Sequence, residues 1–205
     1  MPYFKYGQKE LSHLKKADLK MAGLINEVGM IYREVNPDLY SALLHAIVGQ
    51  QISSSAQKTV WERFKGLVDP LTPEIFLKFK AEEIQACGLS WRKVAYMSNL
   101  TNQIINQELD LMSLDKLSDL EVINELTKIK GIGVWTAEML LIFSLQRPDI
   151  ISYYDLAIIR GLKKLYKKDE ITYDDFLNYK SRYSPYSSVA SLYLWHYAVN
   201  QIDLK

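Results

Sequence analysis

Apolar residues recur three and four positions apart along most of this chain, a spacing that suits helices and little else. Alternating β-branched runs bounded by turn residues, the mark of strands, are scarce. The expectation is therefore an all-α protein. Residues 9–29 read as one or two amphipathic helices ending near Gly29. Asn36-Pro37 marks a turn before a strongly apolar helix over about 38–50. Ser53 to Ser55 can cap a helix running through Phe64, and Thr72 with Pro73 supplies a cap followed by proline at the first helical position. Further helices are expected over about 91–107, 119–126, 155–167 and 172–182, with a last one in the segment SPYSSVASLYLWHYAV. No repeat of 20–50 residues and no low-complexity segment interrupts this order.

A 205-residue chain that is 48% hydrophobic can bury a core. The net charge of +1 gives no general reason to expect a nucleic-acid partner, so any such affinity must come from a local basic face and from backbone amides. Cys87 is the one cysteine. A single thiol makes neither an internal disulfide nor a four-cysteine iron–sulfur cluster, and it suits a reducing, intracellular setting, cytoplasmic or nuclear. His13, His45 and His196 show no metal-ligand spacing. No signal segment and no membrane-spanning run is visible.

The most informative stretch is LTKIKGIGVWTAEMLLIFSL, residues 126–145. Gly131 and Gly133, two apart, allow a tight turn and a close backbone approach to another surface. The helix that follows opens with unpaired N–H groups and the positive end of its dipole, a combination that binds phosphate. Lys128 and Lys130 add charge beside it. An ordinary helix–helix turn would use the same glycines, and the glycines alone do not separate the two readings.

Other motifs do separate them. LTKIKGIGVWTAEMLLIF resembles the helix–hairpin–helix element of the HhH-GPD DNA glycosylase superfamily, and Asp155, in IISYYDLAIIRGL, falls at the family's distance downstream. LLHAIVGQQISSSAQKTVWERF, GLSWRKVAYMSNL and SPYSSVASLYLW resemble further segments of the same family in the same order. The resemblance covers about 38–197 and is strongest to the 3-methyladenine DNA glycosylase branch. It implies a two-lobed helical fold with the active-site cleft between the lobes. One lobe would hold the central helices of about 36–127. The other would combine about 1–35 with 138–205, and the hairpin at 128–137 and a catalytic loop at 147–155 complete the unit.

The resemblance also implies roles. Asp155 would be the catalytic carboxylate, stabilising the positive sugar that forms as an N-glycosidic bond breaks and directing the attacking water. Taken alone, an aspartate before a helix reads equally as an N-cap. Relatives that also nick the strand carry a Schiff-base lysine where this chain has Trp135, so water is the expected nucleophile and an abasic site the expected product. Trp135, Tyr154 and Tyr186 are candidates for a base pocket, where aromatic faces attract a cationic alkylated purine. Trp135 reads as well as a core residue.

Gln51 matches the family's plug for the gap left by the flipped base, and Ser53 a residue facing the minor groove, although Ser53 also suits a helix cap. Lys130, Gly131, Gly133 and Thr136 would hold the DNA strand. The carbonyls of Thr127, Ile129 and Ile132 would bind a monovalent Na+ or K+, and no other cofactor is implied. The expected partner is double-stranded DNA containing alkylated bases, met by a monomer. A basic group near the proposed catalytic helix (Arg160, Lys163, Lys164, Lys167 and Lys168) reads either as a DNA contact or as a solvated face.

The chain departs from the family pattern at Lys130 and Ser152, where proline is common, and at Tyr154, Ala157 and Ser187. None of these removes the carboxylate, but they bear on the shape of the base pocket. Two other readings stay open at this point: a noncatalytic hairpin module that only grips DNA, and a glycosylase for oxidised or mismatched bases.

Overall fold

The computed structural model describes residues 2–202. In chain order the helices are α1 (Gln8–Ala17), α2 (Leu19–Val28), α3 (Leu39–Gly49), α4 (Ser54–Leu67), α5 (Pro73–Phe76), α6 (Ala81–Gln85), α7 (Trp91–Ile105), α8 (Asp119–Thr127), α9 (Val134–Phe143), α10 (Leu156–Tyr166), α11 (Tyr173–Tyr183) and α12 (Ser187–Val199), with a 3₁₀ turn at Ser113–Lys116 before α8. The described residues contain one isolated antiparallel bridge, Tyr3 with Glu34, and no strand.

Side chains written into the sequence start most of these helices. The side chains of Asp18, Asp38, Ser53, Thr72, Ser90, Ser118, Asp155 and Thr172 each accept a first-turn amide. Ser118 and Thr172 form reciprocal boxes with Glu121 and Asp175. The start of α6 differs. Lys80 has no capping side chain, and Glu83 reaches back to the Lys80 N–H at 2.8 Å. That short helix and the 3₁₀ turn are the elements the periodicity did not announce.

The chain divides into two compact units, Met1–Val35 with Leu141–Lys205, and Asn36–Leu140. In the first, α12 is the central helix. Ser187 through Leu194 are all buried, and α10 packs against them most extensively. Gly161 of α10 sits so close to α12 that a Cβ there would lie 2.5 Å from the Leu194 carbonyl oxygen. Backbone cannot yield as a flexible side chain does. Gly161→Ala is therefore expected to lower stability by about 1–3 kcal/mol, read as a fall in the urea midpoint with unchanged slope.

A polar network ties α2, α10 and α11 together in the same unit. Asp18, 5% exposed, caps α2 through the Met21 N–H at 2.8 Å. Its other oxygen accepts the Tyr166 hydroxyl at 2.7 Å and the Arg182 guanidinium at 2.5 Å. Burial alone would raise the Asp18 pKa, but these donors outweigh it and hold the carboxyl below its ordinary value. A depressed folded pKa contributes stability that is present above the unfolded value, about 3.9, and is lost as pH falls through the folded one. Asp18→Asn, which keeps the cap, should cost about 1–2 kcal/mol at pH 7. Below about pH 4 the gap to the parent should narrow, a trend visible in thermal melts across pH.

The second unit packs α3, α4, α5 and α7 around Leu43, Leu44, Ile47, Phe64, Phe76, Met97 and Leu100, all essentially inaccessible. Tyr40 and Thr101 share a buried hydroxyl–hydroxyl bond of 2.8 Å between α3 and α7. Lys93, 8% exposed, donates its ammonium to the Val48 carbonyl at 2.8 Å and so closes the end of α3. Burial, with Arg92 next to it, lowers the Lys93 pKa. α9 begins in this unit and ends in the other.

Candidate functional site

The hairpin between α8 and α9 is built by main-chain bonds. Ile129 N–H returns to the Leu126 carbonyl at 3.1 Å, Ile132 N–H to the Ile129 carbonyl at 3.0 Å, and Ala137 N–H to the Gly133 carbonyl at 3.0 Å. Ile129 and Ile132 are buried and anchor the turn, while Lys130, Gly133 and Val134 are exposed.

The two glycines stand in the turn for different reasons. Gly131 has φ +92°, and a Cβ there would lie 2.4 Å from the Tyr96 ring. Gly133 has no such φ, and a Cβ there would meet nothing within 4 Å. Nothing inside the protein requires glycine at 133, whereas a surface approaching from outside would. Lys128, expected to bring charge here, is exposed and paired with Glu125 at 2.6 Å, and Lys130 is exposed at the tip.

The loop that follows α3 lies against this hairpin. Gln50 donates its side-chain amide to the Gly131 carbonyl at 2.6 Å. Gln51, the expected plug, is exposed and holds a left-handed backbone with φ 55°, rare for a residue with a Cβ. Arg92, at the start of α7, donates to its side-chain oxygen at 3.1 Å. Ser53 caps α4 through the Ala56 N–H at 3.2 Å and touches the Ser55 hydroxyl at 3.0 Å; it is exposed, so the cap does not hide it. The roles of Gln50, Tyr96 and Arg92 are not visible in sequence, because their partners are 41 to 81 positions away or are ring contacts that leave no local pattern.

Trp135 and Thr136 lie in the first turn of α9. Trp135 is 46% exposed, so it is not the core residue that the apolar run also allowed.

In the other unit Asp155 is the N-cap of α10, and the helix proper begins one residue later than expected. Its Oδ1 accepts the Ala157 N–H at 2.8 Å and the Ile158 N–H at 3.0 Å. The residue is 7% exposed, and the two amides fix its carboxylate in direction. The cap and catalytic readings are thus compatible. The cap aims the side chain.

Tyr154, just before it, is 68% exposed and touches Tyr153 edge-on at 6.0 Å. Tyr186 is half-buried and packs edge-on against His13 of α1, with centroids 5.2 Å apart. The basic group divides: Lys164 donates to the Tyr197 and Asn200 carbonyls at the end of α12, and Lys168 pairs with Asp175. Those two serve the fold. Among the described residues no group of three His, Cys, Asp or Glu side chains could hold a metal ion.

A sequence model of HhH-GPD superfamily base excision DNA repair proteins matches residues 44–182, more than half of the chain. The chain belongs to this superfamily. Among relatives of this superfamily member, DNA-3-methyladenine glycosylase 1 of Schizosaccharomyces pombe is 31% identical over 200 residues, covering 90% of this chain and 88% of the relative. The crystal structure of a DNA-3-methyladenine glycosidase from Bacillus halodurans superposes with a TM-score of 0.87 at 33% identity, over 98% of this chain and 94% of that one. A Schizosaccharomyces pombe 3-methyladenine DNA glycosylase in complex with abasic DNA superposes with a TM-score of 0.75 at 31% identity, over 92% and 95%.

Proposed function

We propose that this HhH-GPD protein is a monofunctional DNA glycosylase of base excision repair. It binds double-stranded DNA, extrudes an alkylated purine nucleotide such as 3-methyladenine, hydrolyses its N-glycosidic bond and leaves an abasic site. The observation that carries the reading is Asp155. A carboxylate held in one direction by two helix amides falls where the family resemblance puts the catalytic aspartate, in a chain whose relatives include proteins named as 3-methyladenine DNA glycosylases.

Each step has a group suited to it. The hairpin amides and Gly133 grip the strand without reading sequence. Gln51 enters the space the base vacates, and Gln50 holds the loop that carries it. Trp135, Tyr154 and Tyr186 offer ring faces to a base that alkylation has made cationic. Asp155 stabilises the oxocarbenium-like sugar and receives a proton from the attacking water. With Trp135 in place of the lysine of strand-nicking relatives, the amine that would form a Schiff base is absent from that position.

No resident cofactor enters these steps. Of the three hairpin carbonyls proposed for Na+ or K+, that of Ile129 already accepts the Ile132 N–H, and a carbonyl's second lone pair still suits a monovalent ion. Thr127 and Ile132 would supply the others. The protein would act as a monomer wherever DNA is, in a cytoplasm or a nucleus.

The test is incubation with methylated duplex DNA and chromatography of the released bases. Free 3-methyladenine, with strands that break only after alkali, is the expected result. DNA binding without release of any base would point to a noncatalytic module, and release of oxidised or mismatched bases alone would move the assignment to another substrate class.

A further inference from the structure

The loop that leads from α9 to Asp155 contains no helix or strand, yet each of residues 147–150 is held by the first turn of α12. Asp149 lies at the centre. Its Oδ1 accepts the Ser187 N–H at 3.1 Å and the Ser187 hydroxyl at 2.5 Å, and its Oδ2 accepts the Ser184 hydroxyl at 2.6 Å. Ser188 completes the clasp. Its N–H bonds the Pro148 carbonyl at 3.0 Å, its hydroxyl donates to the Arg147 carbonyl at 2.6 Å, and the same oxygen accepts the Ile150 N–H at 2.9 Å. Ser187 and Ser188 are inaccessible to solvent.

Past the clasp the loop stays held. Ile151 and Ser152 are buried, and the Tyr153 ring meets Tyr173 and Phe176 edge-on at 5.1 and 5.2 Å. The last residue, Asp155, is then pinned by the two amides of α10. So much polar anchoring exceeds what closing a chain requires, since a loop of this length could run over the surface in many conformations. It suits a catalyst whose carboxylate must already point at its target, where a misplacement of about 1 Å costs on the order of 10²-fold in rate.

We infer that Asp149 is a positioning residue for Asp155: it seats the loop on the serines of α12, and through that seat fixes where the catalytic carboxylate stands. The inference rests on the glycosylase reading above. It also explains why a helix as buried as α12 opens with small hydroxyl residues where apolar ones would pack as well.

The experiment is single-turnover base release at saturating alkylated DNA by the parent, Asp149→Ala and Asp149→Asn, with abasic-DNA affinity and thermal melting measured on the same preparations. Asp149→Ala should release base 10- to 100-fold more slowly and bind abasic DNA within twofold of the parent. Asp149→Asn should recover most of the rate. The amide oxygen still accepts both Ser187 donors, and the Ser184 hydroxyl can rotate to accept from the amide nitrogen. A rate unchanged in Asp149→Ala, equal slowing in both variants, or a loss confined to binding would overturn the inference. Should Asp149→Ala fail to fold, Ser188→Ala decides: a slower rate with affinity preserved supports the clasp, and parental kinetics overturns it. A parent chain that releases no base overturns the glycosylase reading itself, which an active parent with an indifferent Asp149 does not.

Discussion

Replacing Asp155 by asparagine is expected to slow base release by on the order of 10²–10³-fold, the loss seen when a group aimed at developing charge is removed. The fold should survive. Asparagine caps helices about as well as aspartate, and its oxygen can still accept the Ala157 and Ile158 amides. The thermal midpoint should therefore stay near that of the parent, and so should affinity for duplex DNA, because the proposed grip on the strand comes from the hairpin. Asp155→Ala removes both functions and should lose the cap as well, about 1 kcal/mol. The contrast between the two variants separates the chemical role of this carboxylate from its structural one.

The hairpin glycines give the second large effect, and they should separate in the same way. Gly131→Ala places a side chain at φ +92° and drives it into the Tyr96 ring. The backbone cost of about 1–2 kcal/mol and the overpacking cost of about 1–3 kcal/mol together predict a loss of roughly 2–5 kcal/mol. Melting should fall by roughly 5–15 °C, and DNA affinity with it. Gly133→Ala meets nothing inside the protein, so its stability should match the parent within about 0.5 kcal/mol. If the backbone at 133 lies against a phosphate, its DNA affinity alone should fall, by about tenfold. Fluorescence anisotropy on abasic DNA, paired with thermal melts, reads both quantities.

The helices were legible because their starts are local. Ser53, Thr72-Pro73, Ser118 with Glu121, and Asp155 each announce a first turn within four residues of sequence. The 80–85 helix was not legible because its start rests on a lysine backbone held by Glu83, a pattern that needs no capping side chain. In the candidate site, the residues that sequence singles out are those with a local signature: the two glycines, the tryptophan after them and the aspartate before a helix.

What sequence could not show is what holds those residues. Gln50 reaches Gly131 across 81 positions, and Asp149 meets Ser187 across 38. Such partnerships exist only after the chain has folded. One trace was present: three serines, Ser187, Ser188 and Ser191, in the apolar segment SSVASLYLW, polar groups that a core accepts only when each finds a partner. The basic group after Asp155 left two readings open in sequence, and the fold uses Lys164 on carbonyls at the end of α12 and Lys168 in an ion pair.

In the proposed reaction a negative charge at residue 155 meets a positive sugar, and one comparison of affinities tests that directly. Affinity is measured for DNA carrying a cationic azaribose in place of the damaged nucleotide and for DNA carrying its neutral tetrahydrofuran counterpart, with the parent and with Asp155→Asn. The parent should bind the cationic mimic at least about tenfold more tightly, as expected of a site complementary to a charged transition state, and the variant should bind the two alike. A preference for the cation that persists undiminished in Asp155→Asn would place the stabilising charge elsewhere and contradict the account.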